Sequence, residues 1–159
     1  MATPDFVLAL REKIGTMPLW LSGVTAVVVR QVDGHDELLL VRRSDNGAWT
    51  PVTGIIDPGE EPARAAAREV REEADVVAVP VRLAGVGVTA AITYSNGDVT
   101  QYLDLIFRFS YVSGVPFPAD GENSEAAWFA RDSLPPMSDE MLGRIDTALD
   151  DRPEARFTF

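Results

Sequence analysis

The 159-residue chain contains no cysteine and a single histidine, His35. The missing cysteines exclude disulfides and thiolate chemistry, and they fit a reducing compartment. Together the two scarcities argue against a zinc site, which draws on cysteine and histidine. His35 sits in the run Asp33-Gly34-His35-Asp36, which reads as a turn, so a surface position is expected. No serine has a histidine base in prospect, which leaves serine nucleophile chemistry without support. Basic residues are also few: fourteen Lys plus Arg stand against 25 Asp plus Glu, a formal charge of −11. Such a surface repels a phosphate backbone, so a nucleic-acid polymer is not an expected partner. No apolar run approaches the roughly 20 residues that span a bilayer. Residues Met1 to Gly15 carry Asp5, Arg11, Glu12 and Lys13 where a signal peptide would be apolar. A cytoplasmic protein that does not engage membranes is the resulting expectation.

What is present is ordinary for one globular domain: 46% hydrophobic and 25% charged residues, in a chain long enough to bury a core. Phe6, Leu8, Leu10 and Ile14 among charges predict a short helix ended by Gly15. Leu19–Arg30 and Glu37–Arg43 read as strands, with turns at Asp33–Asp36 and Ser44–Gly47. Val77–Thr93 and Val99–Tyr111 are β-rich, and Ser95-Asn96-Gly97-Asp98 between them is a hairpin signal. Gly114–Asn123 reads as a loop and Ala126–Ala130 as a last strand. Met141, Leu142, Ile145 and Leu149 form the apolar stripe of a helix over Ser138–Leu149. The mixture predicts an α/β fold, a sheet covered by helices. A division into an N-terminal helix and connector (1–20) and a main domain (21–159) is expected.

The chemistry concentrates in Gly54–Val76. Taken as a helix, Pro62–Ala74 places Ala63, Ala66, Ala67, Val70 and Ala74 on a packing stripe. Glu69, Glu72 and Glu73 then centre on a face roughly 120° away, read as an accessible acidic edge. Arg68 stands four residues before Glu72 and beside Glu69, within reach of a carboxylate. Each like-charge pair costs only about 0.2–0.5 kcal/mol on an exposed helix, so a merely solvated acidic face is a standing alternative. The other reading is a divalent-cation site, because clustered carboxylates offer the hard oxygens that Mg²⁺ and Mn²⁺ take.

Gly54, five residues, Glu60, seven residues, Arg68-Glu69, an aliphatic, any residue, Glu72-Glu73: this spacing resembles the Nudix signature, and Asp75 stands where its last Gly is usual. The resemblance implies an α/β/α sandwich around a central mixed sheet, with the box as a loop-helix-loop. It implies Mg²⁺-dependent hydrolysis (Mn²⁺ as a substitute) of a nucleoside diphosphate linked to a further moiety. Nucleoside triphosphates form one substrate group, ADP-ribose and nucleotide sugars the other. By matching position, Glu69, Glu72, Glu73 and the Gly54 carbonyl would bind metal. Glu69 would also help activate water, Arg68 would orient Glu69, and Glu60 would brace the loop. A second departure is Thr50-Pro51-Val52-Thr53 before the box, where many members have Leu-Pro-Gly-Gly.

Further candidates lie outside the box. Glu125, or Glu122, could add a metal-binding acid from the region before Trp128-Phe129. Arg42 or Arg43 could meet a phosphate. Trp49 could stack on a base or pack under a loop, and Tyr102 with Asp104 could line the pocket. A non-catalytic Nudix-fold binding module is the competing reading, but its usual mark, loss of a box glutamate, is absent. The apolar run Met17–Leu21 and the N-terminal helix suggest a homodimer contact.

Overall fold

The computed structural model describes residues 3–159. Its elements run α1 (Asp5–Ile14), β1 (Leu19–Val32), β2 (His35–Arg43), β3 (Trp49–Thr50), β4 (Val52–Ile55), α2 (Pro62–Ala74), β5 (Val77–Val88), β6 (Ile92–Thr93), β7 (Val99–Ser113), β8 (Asn123–Ala130) and α3 (Asp139–Leu149). β1 is central. It pairs antiparallel with β2 and β4 and parallel with β7. β3 and β8 pair with β2, and β5 and β6 with β7, giving an open, mixed sheet. Pro80 falls within β5, an edge strand, where a missing N–H is tolerated.

Alternation along the strands sorts the core onto two faces. Val24, Ala26 and Val28 of β1, Leu39 and Val41 of β2, and Phe107 and Phe109 of β7 pack against Ala65, Ala66, Val70 and Ala74 of α2. Val27, Val29, Leu38, Leu40 and Ile106 face the other way, onto Ile145, Ala148 and Leu149 of α3. A strand covered on both faces must be apolar at nearly every position, which is why β1 and β2 read as unbroken hydrophobic runs. The result is the expected α/β/α sandwich, whose fold class is the one the box resemblance implies.

The elements depart from the sequence reading at their ends. β1 opens at Leu19 as expected but runs on to Val32, and its first two residues fall within the 1–20 stretch expected as helix and connector. β8 opens at Asn123, inside the stretch expected as loop. The α2 stripe is Ala65, Ala66, Val70 and Ala74, with Ala63 and Ala67 only partly covered. The α3 stripe is Ile145, Ala148 and Leu149, while Met141 and Leu142 lie part-exposed at its start. Among the described residues no helix is long and apolar enough to cross a membrane. His35 is exposed at the start of β2.

Asp75 caps α2 in the left-handed conformation, φ 51° and ψ 31°, and its N–H donates to the Arg71 carbonyl at 3.1 Å. This is the geometry a glycine would adopt without a Cβ penalty. Asp75→Gly should therefore raise stability by about 1 kcal/mol, read from the urea midpoint. An unchanged or lower midpoint would show that the aspartate side chain makes a compensating contact.

Candidate active site

Small side chains on α2 bring the helix close to the sheet, and that closeness carries two acids inward. Glu69 is fully buried, Glu73 is nearly so, and Glu72 remains half exposed. The accessible acidic edge expected from helical geometry is thus divided. Glu69 and Glu73, four residues apart, flank the Ala66–Val70 packing stripe, whereas Glu72 turns toward solvent. Glu69 lies against Gly54 of β4. A Cβ at position 54 would sit 2.2–2.4 Å from the Glu69 Cγ, Cδ and Oε1. Only glycine leaves room there.

One guanidinium organises the box. Arg68 Nε and Nη2 donate to the two Glu60 carboxylate oxygens, both at 2.9 Å. Its Nη1 donates to Glu69 Oε1 at 2.8 Å and Glu72 Oε2 at 3.1 Å, and Nη2 also reaches the Ile55 carbonyl at 3.2 Å. The bidentate Glu60 contact ties the loop to the helix. It also holds the Glu60 carboxyl below its ordinary range, assisted by the Asp57 N–H.

Burial acts the other way on the inner acids. Loss of solvent pushes Glu69 up to about 8 despite its ion pair with Arg68, and the neighbouring Glu73 and Glu72 charges push in the same direction. The Coulombic gain from one half-shared arginine is smaller than the cost of desolvating the carboxylate, so burial wins. Burial likewise raises Glu73, to about 7, against the opposing Asn123 hydrogen bond and with the Asp120 charge adding to the rise. Asn123 Nδ2 donates to Glu73 Oε2 at 3.1 Å.

A cleft of about 840 Å³ opens beside this cluster, bordered by Gly54, Glu73, Arg43, Trp49, Tyr102 and Arg144. The volume is in the range of a nucleotide-sized ligand. Its floor follows from strand alternation: Leu21 and Gly23 of β1 and Tyr102 and Asp104 of β7 lie on the α3 face, beyond the part that α3 covers.

The other sequence candidates fall into two groups. Arg43, Trp49, Tyr102, Asp104 and Glu122 reach the cleft. Arg43 is held by Asp45 at 2.6 Å, and Trp49 also packs edge-on against Phe129 with ring centroids 4.9 Å apart. Arg42 and Glu125 do not join the box. They pair with each other at 2.6 Å on the outer strands. A bulge between Arg42 and Arg43 is the reason: it sets Glu125 opposite Arg42 and Asn123 opposite Arg43, so the residue delivered to Glu73 is an amide rather than the expected acid.

Sequence reasoning missed two participants, Asn123 and Arg144, together with the ion pair that joins Arg144 to the cleft candidate Asp104. Asn123 was inside the expected loop, and its strand pairing carried no periodic signal. Asp104 is buried, accepts from Thr25 Oγ1 at 2.9 Å and lies 3.3 Å from Arg144 of α3. Burial raises its carboxyl, with Arg144 and Thr25 opposing. Arg144 also reaches Glu140 at 2.6 Å. Arg144 sits 119 residues from Thr25, and nothing local in sequence joins them.

The donor set suits a hard divalent cation in chemistry. Glu69 Oε2 is buried without a hydrogen-bond partner among the described residues, and Glu73 adds a second carboxyl near it on the same helix face. As they stand, no three acidic or histidine side chains among the described residues form a ready cation cage. Glu72 is drawn to Arg68 and Glu73 to Asn123. Glu72 is half exposed, and its contact with Arg68 is of the kind worth no more than about 1 kcal/mol, so releasing it from Arg68 is cheap.

The fold and the box together define a Nudix-type domain. A family profile described as the NUDIX domain matches residues 21–147, and the chain belongs to the Nudix family. The NAD-capped RNA hydrolase NudC of Pseudomonas aeruginosa is 34% identical over 104 residues, 64% of this chain and 34% of the relative. The chain thus spans about a third of the length of that relative. A MutT-like protein of Streptomyces ambofaciens is 33% identical over 134 residues, 84% of this chain and 79% of the relative. Among solved structures, the MutT protein from Methanosarcina mazei Go1 superposes with a TM-score of 0.64 at 24% identity, covering 82% of this chain and 95% of that one. An ADP-ribose pyrophosphatase from Streptococcus suis 89-1591 does so at 0.62 and 20% identity, covering 87% and 98%. At these identities the structural likeness speaks to the fold.

The raised Glu69 carboxyl has a consequence for stability in the metal-free protein. Below pH 4.5 the group is protonated folded or unfolded and costs nothing. As pH climbs, the unfolded chain ionises first, and native stability falls until the folded group ionises near pH 8. Glu69→Gln removes that titration. In chelator, its urea midpoint should gain on wild type progressively between those pH values, by an amount on the order of a few kcal/mol. A difference independent of pH would mean that Glu69 is already ionised in the native fold at acidic pH.

Proposed function

We propose that the protein is a Mg²⁺-dependent Nudix pyrophosphohydrolase that cleaves the diphosphate of a nucleoside diphosphate linked to another moiety. The observation that carries the reading is the buried, unpartnered Glu69 Oε2 under the Arg68 fork, packed against Gly54, which with Glu73 borders a nucleotide-sized cleft. A solvated acidic face, the bland alternative, would leave all three glutamates in water. Two of them are buried, and that burial is costly unless a cation offsets it.

In this reading Glu69, Glu72, Glu73 and the Gly54 carbonyl hold the ion. A divalent cation bound there would neutralise diphosphate charge and make a bound water more acidic. Arg68 fixes the Glu69 carboxylate, which would take the proton of the attacking water. Glu60 braces the loop through Arg68. Arg43 and Tyr102 border the cleft where a phosphate and a nucleoside would lie, and Trp49 forms part of its side. Arg42, spent on Glu125, serves the sheet edge. The name of one relative, NAD-capped RNA hydrolase, points to a diphosphate that links a nucleoside to a further moiety. The net charge of −11 favours a small nucleotide over a polymer. Absence of cysteine fits a cytoplasmic setting.

Leu8, Leu10, Met17 and Trp20 are exposed, and we assign this apolar surface to a homodimer contact. Light scattering at micromolar concentration should give about twice the 17.3 kDa chain mass, and the single-chain mass would reject the dimer.

The enzyme reading is tested with a panel of nucleoside triphosphates, ADP-ribose and nucleotide sugars, with products resolved by chromatography. Turnover should require Mg²⁺ or Mn²⁺ and stop in excess chelator. Glu72→Gln and Glu73→Gln should each lower kcat by at least about 10²-fold while remaining folded, because each removes charge from a site that works electrostatically. Wild-type turnover in both variants would take these acids out of the working site. Nucleotide binding with no turnover would favour the non-catalytic module.

A further inference from the structure

α1 lies outside the residues matched by the family profile, yet it borders the same cleft as the box. Its one buried side chain, Val7, is 4% exposed and lines the cleft with Leu21 and Tyr102. Its attachment is specific. Arg11 Nη1 donates to the Gly15 and Met17 carbonyls at 3.0 and 2.6 Å, closing the helix onto its own exit turn. Arg11 Nη2 donates to the Val99 carbonyl at 2.8 Å and to Thr100 Oγ1 at 3.0 Å, at the start of β7. Nε lies 3.5 Å from Asp98 in the hairpin turn. The guanidinium is largely buried, with 11% of the side chain exposed. A fork that joins two chain segments in this way is a fixed anchor, which a point-charge lysine does not reproduce.

The anchored segment leads directly into the cleft floor. Two residues beyond Thr100, Tyr102 lies across from Leu21, and its hydroxyl is 3.1 Å from the Tyr94 hydroxyl. Gly23 keeps the floor low, since a Cβ there would lie 3.3 Å from both the Tyr102 ring and the Gly54 carbonyl. The charged end of the cleft therefore adjoins a region of Val7, Leu21 and an aromatic ring with hydroxyls at its edge. That combination suits a flat heterocycle with a polar rim, and it suits a phosphate poorly.

We propose that α1 is a wall of the substrate trough, held in place by Arg11, and that this wall selects the nucleoside moiety of the substrate. Val7 and Tyr102 meet the ring; Arg11 is a positioning residue that acts through them. The inference rests on the pyrophosphohydrolase reading for the identity of the substrate, but not for its test. Binding of nucleoside 5′-monophosphates and of inorganic pyrophosphate, each with Mg²⁺, is measured by calorimetry on wild type, Arg11→Ala, Arg11→Lys and Val7→Ala. Arg11→Ala should weaken the nucleotides at least about tenfold and leave pyrophosphate within about threefold, because pyrophosphate needs only the box end. Arg11→Lys should fall between, and Val7→Ala, which keeps the anchor, should weaken nucleotides by about threefold. In turnover, KM should rise with these affinities while kcat holds.

Parallel loss of pyrophosphate affinity would overturn the proposal, since α1 would then support the box and not the trough. Equal nucleotide affinity in wild type, Arg11→Ala and Val7→Ala would also overturn it. If circular dichroism shows that Arg11→Ala is unfolded, Val7→Ala decides. A wild type that binds nucleotides without hydrolysing them would end the enzyme reading and leave the wall to be judged on the binding data.

Discussion

Arg68 places its guanidinium between five oxygens: two from Glu60 in the loop, one each from Glu69 and Glu72 on the helix, and the Ile55 carbonyl at the end of β4. Remove that fork and the loop loses its tie to α2, and the buried Glu69 loses the one cation that contacts it among the described residues. Arginine suits the position because its planar donors reach three segments at once, where a lysine would offer one point charge. The arrangement remains electrostatically incomplete. One positive charge is shared among three carboxylates, two of which contact little solvent. In the metal-free fold the cost falls on Glu69 and Glu73, whose carboxyls burial pushes up to about 8 and about 7, and a divalent ion bound there would offset it.

The remainder of the fold keeps this imbalance in place. The two-sided core makes β1 and β4 rigid, so Gly54 is fixed opposite Glu69 and the helix cannot drift away to relieve the repulsion. The same sheet is covered by α3 over only part of its second face. The uncovered remainder becomes the cleft, with Asp104 and Arg144 joined beneath the α3 side and α1 drawn in on the other. Stability and binding thus share one structural origin. Complete coverage of both faces would bury more apolar area and leave no place for a substrate.

Much of this was legible in the chain. Unbroken apolar runs marked β1 and β2, β-rich composition marked β7 and helical spacing marked α3, because a residue that must face a core has little freedom of type. Asp75 declared its strained cap by standing where glycine is usual. The box spacing set Arg68 beside Glu69 and four residues before Glu72, and hydrogen bonds join it to both, while its two-pronged contact with Glu60 had no signal in the sequence. Less legible was β8. Its polar start carries no hydrophobic alternation, so Asn123 looked like loop and Glu125 like the available acid. Only the bulged pairing with β2 reverses their roles.

By itself the sequence determined the α/β class, the family and the acidic helix, since each depends on local pattern: apolar spacing along one element, or fixed offsets within one loop and helix. Tertiary structure decided which acids are buried, that Arg43 and not Arg42 borders the cleft, and that Arg144 meets Thr25 and Asp104 across the fold. Those outcomes depend on how closely α2 approaches Gly54, where a strand bulges, and how far α3 extends over the sheet. Burial and Coulomb interactions are set by distances between segments far apart in the chain, and no local pattern of residues encodes those distances.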